Sequence, residues 1–161
     1  MRILGIDPGS GSTGYGIIDT DGTKHRAVLF GAIKTSGSQP FHKRLLRIHE
    51  ELSDILSREK ADLMAIEEVF HASNVQSALK LGHARGIALL AAAQQGIEVY
   101  EYSPLEIKSA VVGYGRADKM QVQTMVRLLL NLSEAPSSEH AADALAVAIC
   151  HAHRCGRPRV P

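Results

Sequence analysis

The sequence has no tryptophan, three phenylalanines and only two cysteines, and its charges nearly cancel. Cys150 and Cys155 lie five positions apart near the end of the chain, so a bond between them could not staple the fold, which excludes a disulfide scaffold. The 18 Lys and Arg residues against 17 Asp and Glu residues give a formal net charge of +1. This balance excludes a histone-like basic field, so any nucleic-acid surface must be a local patch.

The sequence also has no long apolar run. Its first six residues are far shorter than the core of a signal peptide and end in a turn signal. The longest apolar helical pattern, residues 87–93, is well short of the roughly 18 residues that a membrane span requires. We therefore expect a cytoplasmic protein with no membrane partner. The 161 residues predict a single domain over residues 1–154, followed by a short basic tail over residues 155–161.

Apolar periodicity divides the chain into strands and helices. Three short runs separated by turn signals, among them Asp21-Gly22, predict an antiparallel meander. Amphipathic helices then alternate with two further strands, which implies parallel crossover connections. We expect an α/β fold with a mixed five-stranded sheet and helices on both faces. The predicted strands are residues 2–6, 14–19, 26–35, 63–70 and 98–102, and the predicted helices are residues 41–58, 74–95, 105–112, 119–131 and 138–154.

Two patterns that suggest cofactor sites fail in their context. Residues 9–14 match the G-x-G-x-x-G pattern after a strand, but a dinucleotide site needs a helix next, and the chain continues as a strand. A Walker loop fails because Gly14 is followed by Tyr15 rather than Lys. We therefore interpret these glycines as a tight turn between strands. Near the end of the chain, Cys150 and Cys155 would lie on different faces of a helix, which argues against a zinc site.

Several carboxylates stand in apolar surroundings. Asp7 ends the first predicted strand, where it is either a turn cap or a functional acid. Glu67 and Glu68 point to opposite faces of one strand, so at least one of them enters the interior or a cleft. Asp143 is the one polar position within an apolar helical stretch, and a buried carboxylate is costly unless it is paired or bound to metal. His140 shares the helical face of Asp143, and the pair points to a ligand or proton-handling role.

The chemistry of such a group of residues follows from their types. Carboxylates brought together repel one another unless divalent cations lie among them. Oxygen-rich sites suit Mg²⁺, with Mn²⁺ possible, and an imidazole shifts the preference toward Mn²⁺. Two such ions about 4 Å apart can activate a water, hold a scissile phosphate and stabilise the departing 3′ oxygen. His140 would either ligate an ion or orient the water, and its spacing from Asp143 does not choose between these roles.

At these residues the sequence closely resembles the RuvC family of Holliday junction resolvases, which have the ribonuclease H-like fold. The resemblance extends from Met1 to about His153, and its motifs are specific as a set rather than singly. The matching segments are ILGIDPGS at 3–10, TGYG at 13–16, AIEEVF at 65–70, SALKLG at 77–82, ARG at 84–86, VVG at 111–113 and AADALA at 141–146.

The resemblance implies a metal-dependent endonuclease of DNA recombination and repair, which nicks two strands of like polarity near the crossover of a four-way junction. It implies that Asp7, Glu67 and Asp143 are catalytic metal ligands, and it selects Glu67 over Glu68. Many members of the family carry a fourth carboxylate where this chain has His140, while others have histidine. The resemblance therefore places His140 in the catalytic site and leaves open whether it is a ligand or a base.

The family also implies partners. A homodimer is expected, because a two-fold substrate needs two active sites related by a two-fold axis. The small-residue helix around residues 82–88 is a candidate packing surface, although core packing would explain its composition equally well. The family further implies a branch-migration motor that works with the nuclease.

DNA contacts are expected at two segments that are locally basic. Residues 79–93 have a net charge of +2 and residues 107–128 a net charge of +3, so both can contact phosphates beside an acidic site. By resemblance, two lysines of the second segment flank the catalytic cleft, and an aromatic residue after the catalytic strand stacks on a base at the opened junction. Such stacking is worth about 1–3 kcal/mol. The predicted DNA-binding residues are Phe70, Lys80, Arg85, Lys108, Arg116 and Lys119.

Two other functions remain open at the level of the sequence. An actin-like ATPase shares the strand-turn-strand opening, but such proteins need two copies of this fold, and the chain supplies one. A non-catalytic module that binds branched DNA would be favoured if one of the three candidate catalytic carboxylates were missing from the sequence. Asp7, Glu67 and Asp143 are all intact.

Overall fold

The computed structural model describes residues 1–68 and 74–155. Within these residues the elements follow the predicted order, and no helix is long and apolar enough to cross a membrane. The strands are β1 (Arg2–Asp7), β2 (Ser12–Thr20), β3 (His25–Lys34), β4 (Leu63–Glu67) and β5 (Glu98–Tyr102), and the helices are α1 (Phe41–Glu59), α2 (Val75–Gln94), α3 (Pro104–Val112), α4 (Lys119–Leu129) and α5 (Glu139–Cys155).

The sheet has the strand order β3-β2-β1-β4-β5, with β1 at its centre. The first three strands form the antiparallel meander, while β4 runs parallel to β1 and β5 runs parallel to β4. Gly5 of β1 pairs with Gly16 on one side and with Ala65 on the other. The predicted mixed five-stranded sheet is therefore confirmed.

Helices cover both faces of this sheet, as predicted. On one face, α1 and α2 pack on β1, β2 and β4, and Ile48 and Leu52 of α1 are fully buried there. On the other face, α3 and α4 pack around α5, whose side chains from Ala144 to Ala152 are buried throughout. The apolar stretch in α5 thus reflects a helix enclosed by the sheet and by two other helices.

The observed element ends differ from the predicted ones next to the glycine-rich segment and at α2. β2 begins at Ser12, two residues before the predicted start, which shortens the turn after β1. Asn74 is the cap of α2, because its side-chain oxygen accepts a hydrogen bond from the Ser77 backbone N–H at 2.8 Å. The predicted basic tail, residues 155–161, lies outside the described residues except for Cys155, which ends α5.

The stability of the fold should depend on pH through His151 of α5, which is fully buried. Its Nδ1 lies 2.8 Å from the Tyr102 hydroxyl and its Nε2 lies 3.1 Å from the Cys155 Sγ. Burial lowers the pKa of His151 from 6.5. Below that pH the unfolded chain takes up a proton that the folded chain resists, so stability present above pH 6.5 is lost as the pH falls.

This loss should reach up to about 1.4 kcal/mol for each pH unit below the unfolded pKa. The variant His151→Gln should show a smaller fall in the free energy of unfolding between roughly pH 7.5 and 5.5, measured by urea denaturation. The variant His42→Gln, at an exposed position, should keep the fall seen in the unmodified chain. An equal fall in His151→Gln would mean that other groups cause the acid sensitivity.

Candidate active site

The ends of β1 and β4 bring two carboxylates to one edge of the sheet. These strands are parallel neighbours in which Ile6 pairs with Ile66, so Asp7 and Glu67 follow at the same level. In α/β sheets this edge, at the carboxyl ends of the strands, is where ligands bind. The Asp7 side chain is only 14% exposed, and its negative charge acts on Glu67.

Glu67 has the most perturbed acidity of this group. Burial, followed by the negative charges of Asp7 and Asp143, raises the pKa of Glu67 to about 7. Of the two adjacent glutamates, Glu67 lines the cavity described below, while the backbone N–H of Glu68 donates to the Tyr102 carbonyl at 2.9 Å. This placement agrees with the choice of Glu67 that the resemblance implies.

The first turns of α5 add His140 and Asp143 to the same edge. His140 Nδ1 lies 2.7 Å from Asp7 Oδ2, and this hydrogen bond raises the pKa of His140 above 6.5. Burial, followed by the charge of Asp7, raises the pKa of Asp143 above 3.8. The structure therefore brings together all four side chains that the sequence analysis selected as catalytic: Asp7, Glu67, His140 and Asp143.

Glycines in β1 and β2 let α5 approach the sheet closely enough to form this cluster. A Cβ atom added to Gly14 would lie 1.9 Å from the His140 carbonyl oxygen, and one added to Gly5 would lie 2.0 Å from the Ala144 carbonyl oxygen. Gly14 lies inside β2 and has no positive φ, so its interpretation as a turn residue is wrong. Its role is to make room for α5.

A cavity of about 180 Å³ opens beside the cluster, and Glu67, Asp143, Lys108 and Lys119 line it together with apolar side chains. Lys119 Nζ lies 3.4 Å from Asp143 Oδ2 and 2.8 Å from Glu139 Oε2. The hydrogen bond to Glu139 raises the pKa of Lys119. The positive charge of Lys108 acts in the opposite direction to burial on the pKa of Glu67. Both lysines therefore compensate for negative charge at the site.

Glu139 is a part of this site that the sequence analysis missed. Its signal is weak, because an acid in the first turn of a helix is common for reasons of helix stability alone. The contact with Lys119 connects it with the cavity.

The other predicted DNA-binding residues are placed differently. Arg85 forms an ion pair with Glu101 of β5, and its side chain is only 20% exposed. Lys80 and Arg116 are exposed, and Phe70 lies outside the described residues. DNA binding by these four residues stays a prediction, and for Arg85 it would require the side chain to leave Glu101.

The donor groups of the cluster are of the kind that a divalent cation requires. Within residues 1–68 and 74–155, no three carboxylate, imidazole or thiol side chains already surround one point at metal-binding distance. Asp7 contacts His140 instead, and Asp143 contacts Lys119. The donor types nevertheless fit, because Glu67 and Asp143 line one small cavity next to Asp7, and burial followed by the charge of Asp7 raises the pKa of both.

The two cysteines contact different groups. Cys150 Sγ lies 3.7 Å from the Glu106 carbonyl oxygen, whereas Cys155 Sγ lies 3.1 Å from His151 Nε2. This arrangement follows from their positions on different faces of α5. Both are free thiols.

Comparisons with known proteins agree on one family. The sequence pattern described as crossover junction endodeoxyribonuclease RuvC matches residues 3–151. A protein of that name from Alkaliphilus metalliredigens is 52% identical over 153 residues, which are 95% of this chain and 93% of the relative. Another from Citrifermentans bemidjiense is 53% identical over 156 residues, which are 97% and 94% of the two chains.

A solved structure gives the same result. The complex of T. thermophilus RuvC with a Holliday junction substrate matches with a TM-score of 0.92 at 40% identity, covering 96% of this chain and 94% of that chain. The predicted ribonuclease H-like fold is thereby confirmed, and dependence on a divalent metal is implied by the family in general terms. The chain belongs to the RuvC family of crossover junction endodeoxyribonucleases.

Proposed function

We propose that this chain is a metal-dependent endonuclease that resolves four-way DNA junctions by paired, symmetric nicks in strands of like polarity. The observation that carries the proposal is the convergence of three carboxylates and a histidine at one edge of the sheet. The relatives are named crossover junction endodeoxyribonucleases, and T. thermophilus RuvC was solved with a Holliday junction substrate. These names support the proposed substrate.

Asp7, Glu67 and Asp143 would hold Mg²⁺ or Mn²⁺, and we propose two ions in each site. When bound, the ions supply an activated water and neutralise charge that develops at the scissile phosphate. The three carboxylates must be ionised to act as ligands. Burial, followed by the charges of Asp7 and Asp143, opposes ionisation of Glu67 and raises its pKa to about 7. The protein thus contributes a site whose negative charge is stable only together with positive charge.

The two ring nitrogens of His140 have different roles. Its Nδ1 faces Asp7 Oδ2 at 2.7 Å, so in the neutral ring Nδ1 donates the hydrogen bond and Nε2 carries the lone pair. That nitrogen is the atom that would ligate an ion or accept a proton from the attacking water. Asp7 fixes the orientation of the ring in either case.

Lys108 and Lys119 would hold the DNA backbone at the mouth of the cavity. Both line the cavity, and the Lys119 side chain is 51% exposed although it contacts Asp143 and Glu139. A phosphate that enters the site is a further anion for the same ammonium groups. These lysines would therefore position the scissile strand above the carboxylates.

We also propose that the protein acts as a homodimer through α2. Val75 and Leu79 of this helix are 77% and 59% exposed, and a Cβ atom added to Gly82 or Gly86 would meet nothing within 4 Å. An exposed apolar strip of this kind is typical of a protein interface. A second copy would cover it and would supply the second active site that two symmetric nicks require.

The function is tested with a synthetic four-way junction and a linear duplex of the same sequence, each incubated with and without Mg²⁺ or Mn²⁺. We expect paired nicks at symmetric positions on the junction alone, and only with a divalent cation. Tight binding of the junction without nicks would support a non-catalytic binding module instead. ATP hydrolysis without cleavage would support the actin-like alternative.

A further inference from the structure

The region between Asp21 and Glu50 contains six Lys and Arg residues and no acidic residue, although the whole chain is nearly neutral. Three of these cations lie at the catalytic edge of the sheet, and we call Lys34, Lys43 and Arg44 the basic flank. We propose that the basic flank binds the phosphate backbone of one duplex arm of the DNA substrate. This inference rests on the proposed function and adds a second DNA-binding surface to it.

The sheet register places the basic flank beside the candidate active site. β1 ends at Asp7, and the antiparallel neighbours β2 and β3 begin and end at the same edge, with Ser12 paired to Lys34. The guanidinium of Arg44 donates to the Ser10 carbonyl at 2.6 Å and to the Thr35 hydroxyl at 3.1 Å. The first turn of α1 is therefore joined directly to the turn that follows Asp7.

The distance between this surface and Asp7 suits a continuous DNA strand. Ser10 is three residues after Asp7, and three extended residues span at most about 10 Å. A DNA strand carries one phosphate per roughly 3.4 Å of helix axis, so Arg44, which contacts Ser10, lies within a few nucleotides of a phosphate held at Asp7.

The basic flank lies on the opposite side of Asp7 from the two cavity lysines. α1 packs on one face of the sheet, whereas α3 and α4, which carry Lys108 and Lys119, pack on the other face. A strand that crosses the site would therefore meet positive charge both before and after the scissile phosphate. This is the arrangement that holds a duplex arm in a fixed register.

These charges are not explained by the stability of α1. Lys43 and Arg44 lie in its first turn, where the helix dipole disfavours cations, and no acidic residue is present there. Further along α1, Arg47 and Arg58 each pair with an acid four positions away, as solvated helix faces commonly do. Within the described residues, Lys34, Lys43 and Arg44 form no such ion pair.

The experiment replaces Lys34 and Lys43 with Gln together and leaves Arg44, which also holds the turn. Affinity for a labelled four-way junction is measured by fluorescence anisotropy without divalent cation, across a salt series. Losing two phosphate contacts should make the slope of log affinity against log salt shallower by about 1.8. When the salt is raised from 50 to 200 mM, the affinity of the unmodified chain should therefore fall by a factor about ten times larger than the affinity of the variant.

The matched control is Lys24→Gln with Lys60→Gln, which removes the same charge from two exposed positions at the opposite edge of the sheet. Its salt slope should equal that of the unmodified chain. An unchanged slope in the Lys34 and Lys43 variant, or an equal change in the control, would overturn the inference. Failure of the proposed function is separate, because the unmodified chain would then leave the junction uncut in the presence of Mg²⁺ or Mn²⁺, whatever its salt slope.

Discussion

Replacing Asp7 with Asn should lower the rate of junction cleavage by about a thousandfold or more. Asp7 is the central side chain of the site, because it contacts His140 Nδ1 at 2.7 Å and its charge is, after burial, the largest cause that raises the pKa of Glu67 and Asp143. The amide keeps the size of the side chain but removes its charge, so it binds cations weakly and leaves His140 without an anionic partner. Several kcal/mol of charge stabilisation in the transition state correspond to this rate loss. The measurement is single-turnover nicking of a labelled junction.

Binding distinguishes a lost catalytic group from a damaged fold. The Asp7→Asn variant should bind the junction at least as tightly as the unmodified chain, because one negative charge next to the DNA is gone. The matched control is Glu68→Gln, which neutralises the glutamate that follows Glu67 in the sequence and whose backbone N–H donates to the Tyr102 carbonyl. It should cleave within a fewfold of the unmodified rate. Cleavage by Asp7→Asn within tenfold of that rate would contradict the catalytic assignment of Asp7.

The elements of the fold could be predicted because their signals are local. The meander follows from short apolar runs between turn residues, and α1 follows from apolar residues at helical spacing. Asp143 could be selected because it interrupts an apolar stretch that proves to be enclosed on all sides. Asp7 was ambiguous by its own context, since a turn cap and a functional acid look the same in the sequence.

The contacts that assemble the site could not be predicted, because they join residues far apart in the chain. The ion pair between Lys119 and Glu139 depends on how α4 packs against α5, and no pattern in either segment reports that packing. The ion pair between Arg85 and Glu101 likewise depends on the packing of α2 beside β5. Local charge counts treated both cations as free to bind DNA. Their positions show that charge is already shared within the protein.

The close packing of α5 against the sheet determines where its catalytic side chains lie. Asp143 and His140 reach the end of β1 only because Gly5 and Gly14 leave space for the backbone of α5. In the sequence, Gly14 belongs to a pattern that suggests phosphate binding, and the strand that follows predicts a turn there instead. Glycine is required at position 14 because α5, which is distant in the sequence, packs against it. The local sequence contains no signal for such a contact.

The variant Gly14→Ala should therefore impair both the fold and the reaction. Its Cβ would lie 1.9 Å from the His140 carbonyl oxygen, so the first turn of α5 must move. We expect a loss of about 3 kcal/mol in the free energy of unfolding, at the upper end for overpacked sites. Cleavage at saturating junction should fall about a hundredfold, because a displacement of about 1 Å separates His140 from Asp7. Urea denaturation and single-turnover nicking measure the two effects.

Gly37→Ala is the matched control, since a Cβ there would meet nothing within 4 Å. Its free energy of unfolding and its cleavage rate should both equal those of the unmodified chain. This result would separate the clash at Gly14 from any general effect of losing a glycine. Assays of Gly14→Ala well below its unfolding midpoint ensure that the rate belongs to folded protein. A folded Gly14→Ala variant that cleaves at the unmodified rate would show that the catalytic cluster tolerates movement of α5. The close approach at Gly14 would then serve the packing of the core alone.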